Sequence, residues 1–118
     1  MKIPQKSQIL RIFIGENDKY KGQQLYEWIV LKARKECLAG ATVLHGIMGF
    51  GANTRIHTSK ILRLSLDLPI VIEIIDGPKK IQKFLAGIEE VLEDCLVTIE
   101  DVNVYFYKTK DRNLLESD

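Results

Sequence analysis

Between His45 and Lys60 the chain reads HGIMGFGANTRIHTSK, a short stretch that holds three glycines, two histidines and the cations Arg55 and Lys60. Three kinds of chemistry are open to it. A metal site would use His45 and His57, but zinc takes four ligands in structural sites and three protein ligands in catalytic ones, and no Cys, Asp or Glu stands between the two histidines to complete a set. A phosphate cradle would use Gly46, Gly49 and Gly51, because glycine permits positive φ and lets backbone N–H groups converge on an anion. Arg55, His57 and Lys60 would then be charged partners for the phosphate. A plain hairpin loop would carry the same glycines as turn residues. GIMGFG is neither GxGxxG nor a Walker sequence, so its spacing alone leaves the phosphate and hairpin readings side by side.

Covalent catalysis finds no residues. Ser59 and Ser65 lack a nucleophile-elbow context, and Glu73 has no second acid beside it, so the chain reads as a binding protein rather than an enzyme. Glu73 draws notice for another reason. A carboxylate inside VIEII is costly to bury unless it is paired or hydrogen-bonded, so it needs a partner or an outward strand position.

The elements that must position these residues follow from periodicity. Ile9 to Ile14 (ILRIFI), with Arg11 as the one charge, predicts a mostly buried strand, followed by the polar turn GENDKYKGQQ. Leu25, Ile29, Ala33 and Cys37 recur at intervals of four and predict an amphipathic helix from Leu25 to Leu38 with Gly40 as its cap. Thr42 to Met48 predicts a second strand, with Gly46 marking a bulge or a close approach. Ile61 to Leu66 and Ile70 to Ile75 predict a long third strand broken or edged by Pro69. Asp76-Gly77-Pro78 starts a second helix with Ile81, Phe84, Leu85, Ile88 and Leu92 on one face. Val97 to Tyr107 closes the series as a strand with Val102, Val104 and Phe106 on its buried side.

This order predicts an α+β fold, the ferredoxin-like βαββαβ arrangement with a four-stranded antiparallel sheet and two helices on one face. The strands are apolar on both faces, with Ile9 and Phe13 opposite Leu10, Ile12 and Ile14, so the uncovered face predicts self-association.

Composition sets the outer limits. With 118 residues, 46% hydrophobic and 28% charged, one globular domain spanning 1–118 is expected. A formal net charge of +1 lacks the basic excess of a nucleic-acid binder. The start MKIPQKSQ has no signal-peptide core and no apolar run reaches about 18 residues, which reads as a cytoplasmic protein. Cys37 and Cys95, without CxxC spacing, read as plain thiols.

LAGATVLHGIMGFG, then HTSK, then DLPIVIEIID together resemble the PII-type signalling proteins, and most closely their PII-like relatives. The resemblance covers nearly the whole chain. It rests on a Gly-x-Thr-Val strand at Gly40 to Val43, the Gly-Phe-Gly at Gly49 to Gly51, and Leu68-Pro69 ahead of Ile72 to Ile74. It implies a homotrimer that binds adenine nucleotide in clefts between subunits and signals through a mobile loop, here about residues 50–60, to a target protein. Membrane transporters are frequent targets of such proteins. A C-terminal tail of about residues 109–118 would follow the last strand.

By position, the resemblance implies that Gly40, Ala41 and Thr42 meet the adenine side. It implies Gly46, Gly49, Phe50 and Gly51 on the phosphate side, with Arg55, His57 and Lys60, and Glu73 on the strand lining the cleft. Where PII proteins carry a glycine- and lysine-rich phosphate loop before the last strand, this chain has EDCLVTIEDVN. Lys108 and Lys110 would then supply phosphate contacts, and AMP or ADP fits better than ATP. The alternative is a trimer of the divalent-cation-tolerance type, sharing the fold and binding metal or another small anion without nucleotide.

Overall fold

A computed structural model of the chain describes residues 3–50 and 67–108. Strand β1 (Lys6–Gly15) is followed by a small hairpin, β2 (Lys19–Tyr20) and β3 (Gln23–Gln24), then helix α1 (Leu25–Lys35), β4 (Ala41–His45), β5 (Pro69–Asp76), helix α2 (Pro78–Ile88) with a 3-10 turn at Glu89–Val91, and β6 (Leu96–Asn103). The main sheet has the order β4-β5-β1-β6 and every neighbouring pair is antiparallel. This is the expected four-stranded sheet with two helices, the ferredoxin-like fold.

Register sorts the side chains into two faces, because directly opposed residues in an antiparallel pair share a face. Val43, Ile72, Ile12 and Val97 form one row under the helices, and Ala41, Ile74, Leu10 and Ile99 form the next. Leu10, Ile12, Ile72 and Ile74 are fully buried there with Ile29 of α1 and Ile81, Phe84 and Ile88 of α2. Each such side chain contributes about 1.5–3 kcal/mol on burial, which fixes the register: a one-residue slip would exchange the two faces. Helix α2 starts as its sequence predicts, with Gly77 at the N-cap and Pro78 in the first turn.

Several boundaries differ from expectation. Helix α1 is not capped at Gly40. The chain reverses at Cys37, in the left-handed region at φ 62°, with Leu38 N donating to Ala33 O at 3.1 Å and Cys37 N to Arg34 O at 3.0 Å, which is a Schellman closure formed without glycine. Strand β4 stops at His45 rather than Met48, and Ile47 and Met48 are exposed. Pro69 begins β5, where the first residue of a strand tolerates a missing N–H. The Ile61 to Leu66 strand lies outside the described residues. Strand β6 ends at Asn103, opposite Lys6, the first residue of β1, and Phe106 is exposed rather than buried. The polar turn after β1 holds the β2–β3 hairpin, closed through positive φ at Lys21 and Gly22.

Asp76, at the end of β5, is 1% exposed and fully used. Its carboxylate accepts from Ala39 N at 2.9 Å and from Gly77 N at 2.6 Å, tying the entry of β4 to the start of α2. Lys80 Nζ donates to Cys37 O at 2.8 Å across the same junction.

Candidate functional site

Among the described residues, nothing covers the sheet face away from the helices. Leu44, Val71, Phe13 and Leu96 form a continuous apolar row across β4, β5, β1 and β6. The next row is polar: Thr42, Glu73, Arg11 and Thr98. Arg11 Nε donates to Glu73 Oε2 at 2.8 Å and Nη1 donates to Glu100 Oε1 at 2.8 Å, so one guanidinium holds two carboxylates in the middle of the face. The hydrogen bonds to Glu73 and then Glu100 raise the pKa of Arg11 above its ordinary value, with burial opposing them, so the cation is permanent. Glu73 therefore has both the outward strand position and the partner that its place in VIEII calls for. Arg11, the single charge in ILRIFI, is the site residue that sequence reasoning left unassigned.

Strand β4 is an edge of the sheet, and the predicted ligand residues fall at its two ends. Gly40 and Ala41 stand at the entry, and Thr42, on the open face, is opposite Glu73. A Cβ added at Gly40 would meet nothing within 4 Å, so space is open beside it. Gly46 and Gly49 stand at the exit, about 17 Å away at the rise of a five-residue strand. Both pack on Pro69: a Cβ at Gly46 would lie 2.6 Å from Pro69 Cγ, and one at Gly49, where φ is 153°, would lie 3.1 Å from the same atom. Gly46 N donates to Pro69 O at 2.7 Å. Phe50 follows, exposed together with Ile47 and Met48. Gly51, Arg55, His57, Lys60 and Lys110 lie outside the described residues.

The two chain ends that lead into residues 51–66 are tied to the turn after β1. Glu16 N donates to Leu68 O at 2.8 Å, Asn17 N donates to Asp67 Oδ1 at 2.7 Å, and His45 Nε2 lies 3.4 Å from Glu16 Oε1. His45 is thus a partner of Glu16. Among the described residues no group of three His, Cys, Asp or Glu side chains is arranged to hold a metal ion.

Lys108 sits elsewhere on the fold than the glycine turn. Val104 N donates to Gln5 O at 2.7 Å, and Tyr107 Oη donates to Ala39 O at 3.0 Å, so the segment after β6 crosses the end of the sheet to the entry of β4. Lys108 Nζ lies 5.4 Å from the Phe106 ring centroid. The structure brings Lys108 to the Gly40 end of β4, and not to Gly46 and Gly49.

At the opposite end, where Gly15, Pro69 and Gly46 lie, the loop between α2 and β6 carries the acids. A cavity of about 190 Å³ there is lined in part by Asp18, Glu90, Glu93, Asp94 and Cys95. Burial first, and then Asp18 and Asp94, push the Cys95 thiol up. No helix among the described residues is long and apolar enough to cross a membrane.

The model of the DUF190 family, described as "Uncharacterized ACR", matches residues 7–104. The chain is 38% identical over 101 residues to a UPF0166 protein of Aquifex aeolicus, covering 86% of this chain and 95% of that one. Its fold is similar to that of CPII, a nitrogen regulatory PII-like protein from Thiomonas intermedia K12, bound to ADP, AMP and bicarbonate, with a TM-score of 0.61, 14% identity, and coverage of 86% of this chain and 94% of that one. The divalent ion tolerance protein CutA1 of Ehrlichia chaffeensis shares it at a TM-score of 0.53 and 11% identity, over 94% of this chain and 91% of that one.

Proposed function

The chain belongs to the DUF190 family, whose fold is that of PII-like signalling proteins, and on that premise we propose that it is an adenine-nucleotide-binding regulatory homotrimer. The observation that carries the proposal is the exposed edge β4. Gly40 to Thr42 enter it at one end and Gly46 and Gly49 leave it at the other, in a fold in which CPII holds ADP and AMP. Nucleotide lies between subunits with its base at the Gly40 end. Its phosphates reach toward Gly49 and Gly51, with Arg55, His57 and Lys60 as their charged partners, and Lys108 and Lys110 of a neighbouring copy of the chain add charge. The loop around residues 50–60 reports occupancy to a target protein, with a membrane transporter as one class of target.

The uncovered sheet face supports the trimer. Its apolar row of Leu44, Val71, Phe13 and Leu96, with Ile9 and Ile75 beyond the charged centre, needs cover that the described residues do not supply. The reading as a regulator rather than an enzyme is supported by the fold, which is that of PII-like signalling proteins.

Calorimetry with AMP, ADP and ATP tests the proposal, and binding of AMP or ADP at micromolar to millimolar concentration is expected. Gly51→Val should weaken it by roughly tenfold to twenty-thousandfold, the range for losing one or two hydrogen bonds to a charged group. If none of the three binds at millimolar concentration, the likeness to CutA1 makes metal the next ligand to titrate.

A further inference from the structure

We propose that Tyr105 and Phe106 form the platform on which the adenine base stacks, an inference that rests on the nucleotide reading above. These residues follow β6 on a segment pinned at both ends, by Val104 N to Gln5 O at 2.7 Å and by Tyr107 Oη to Ala39 O at 3.0 Å. The rings between the pins are unusually open for aromatic side chains: Tyr105 is 95% exposed and Phe106 65%. They hold each other edge to face, centroids 5.6 Å apart and planes at 64°. A pinned backbone and a mutual ring contact leave little freedom to lose on binding, and with the planes at 64° a flat base stacks on the face of one ring and meets the edge of the other.

The place of the pair selects the ligand. The Tyr107 pin lands on the carbonyl of Ala39, next to Gly40, where the space is open. Thr42, whose hydroxyl can bond a purine edge or a ribose, lies two residues further along β4. Lys108 Nζ lies 5.4 Å from the Phe106 ring centroid, so a cation stands beside the pair, which an apolar contact between two copies of the chain would not require. Aromatic stacking tolerates any base, so the pair supplies affinity, while discrimination between bases falls to backbone groups at Gly40 and Ala41.

The test is calorimetry on the assembled protein with two probes, AMP and ribose 5-phosphate, which share the phosphate but not the base. Tyr105→Ala and Phe106→Ala should each weaken AMP by about five- to 150-fold, the span that loss of one stacking ring produces, and leave ribose 5-phosphate unchanged. Tyr105→Phe should retain AMP affinity, since the ring face and not the hydroxyl does the stacking. Light scattering should give the same particle mass for every variant. AMP affinity unchanged in both alanine variants would overturn the platform while leaving the nucleotide reading intact. A loss of AMP binding that accompanies dissociation of the assembly would also overturn it and make the pair a contact between subunits. Wild type that binds no AMP would bring down the nucleotide reading itself, and the platform with it.

Discussion

Arg11 Nε and Glu73 Oε2 meet at 2.8 Å on the one sheet face that no helix covers, each side chain 30% exposed in the single chain. The second carboxylate on that guanidinium, Glu100, lies across β1 on the other side, so β5, β1 and β6 are laced by a single cation. In water such a network contributes little, because solvent screens it. Covered by further copies of the chain it becomes a desolvated group of charges. There, removing one member leaves the others unpaired.

Arg11→Met therefore reports whether the face is covered. In a homotrimer it strands Glu73 and Glu100 at the interface, and the concentration at which the assembly dissociates should rise by more than about tenfold. Changing Glu73 and Glu100 to Gln as well should restore most of the loss, since a neutral set of similar volume carries no uncompensated charge. Light scattering over a dilution series is the measurement. A variant indistinguishable from wild type would mean that the face meets water.

Gly46 and Pro69 give a prediction about why the glycines of HGIMGFG are there. A methyl group at Gly46 would lie 2.6 Å from Pro69 Cγ, 3.3 Å from Pro69 O and 3.5 Å from Pro69 Cβ, so trimming the ring would remove the closest overlap and leave a tight contact with the carbonyl. Gly46→Ala should cost about 1–3 kcal/mol by overpacking, read from urea unfolding. Adding Pro69→Ala should recover most of that cost, a coupling that a double-mutant cycle resolves. Additive losses would show that Gly46 answers to something other than the proline.

How much of this could be read from the sequence depends on where each constraint lies. Helix α2 is legible because its start signal, Gly77-Pro78, and its buried face, Ile81, Phe84 and Ile88, are local. The end of β6 is not legible: alternation runs on through Tyr105 and Tyr107, but the ladder stops at Asn103 because its partner strand begins at Lys6. The turn at Cys37 is hidden for a similar reason, since a non-glycine residue takes the left-handed conformation where backbone bonds to Ala33 and Arg34 over-determine it. At the site, Glu73 stands out in VIEII, whereas its partner Arg11 lies 62 residues away in sequence and only the β1–β5 register joins them.

Cys95 should react slowly with iodoacetamide at neutral pH. Burial and the charges of Asp18 and Asp94 raise its thiol pKa, which lowers the thiolate fraction, and the thiolate is the nucleophile. The rate should therefore climb only at pH above the range in which an ordinary thiol ionises. Asp94→Asn should speed the reaction by a few-fold at most, because desolvation, and not the neighbouring charge, is the leading cause. Peptide mass spectrometry reads the rate at Cys95 separately from that at Cys37.

The acids between α2 and β6 predict which nucleotide is preferred. Glu90, Glu93 and Asp94 line the cavity at the end of the sheet where Gly46 and Gly49 lie, so each added phosphate brings negative charge toward a negative loop. ATP should bind more weakly than ADP or AMP. Glu93→Lys with Asp94→Lys should raise ATP affinity more than AMP affinity, by roughly two- to thirtyfold for two exposed charge contacts. That gain should shrink as salt rises from 50 to 500 mM, because the contacts are solvent-screened. Calorimetry at both salt concentrations reads the effect. Equal gains for AMP and ATP would place the outer phosphates away from this loop, and a gain that persists at high salt would mean that the lysines act through packing instead of charge.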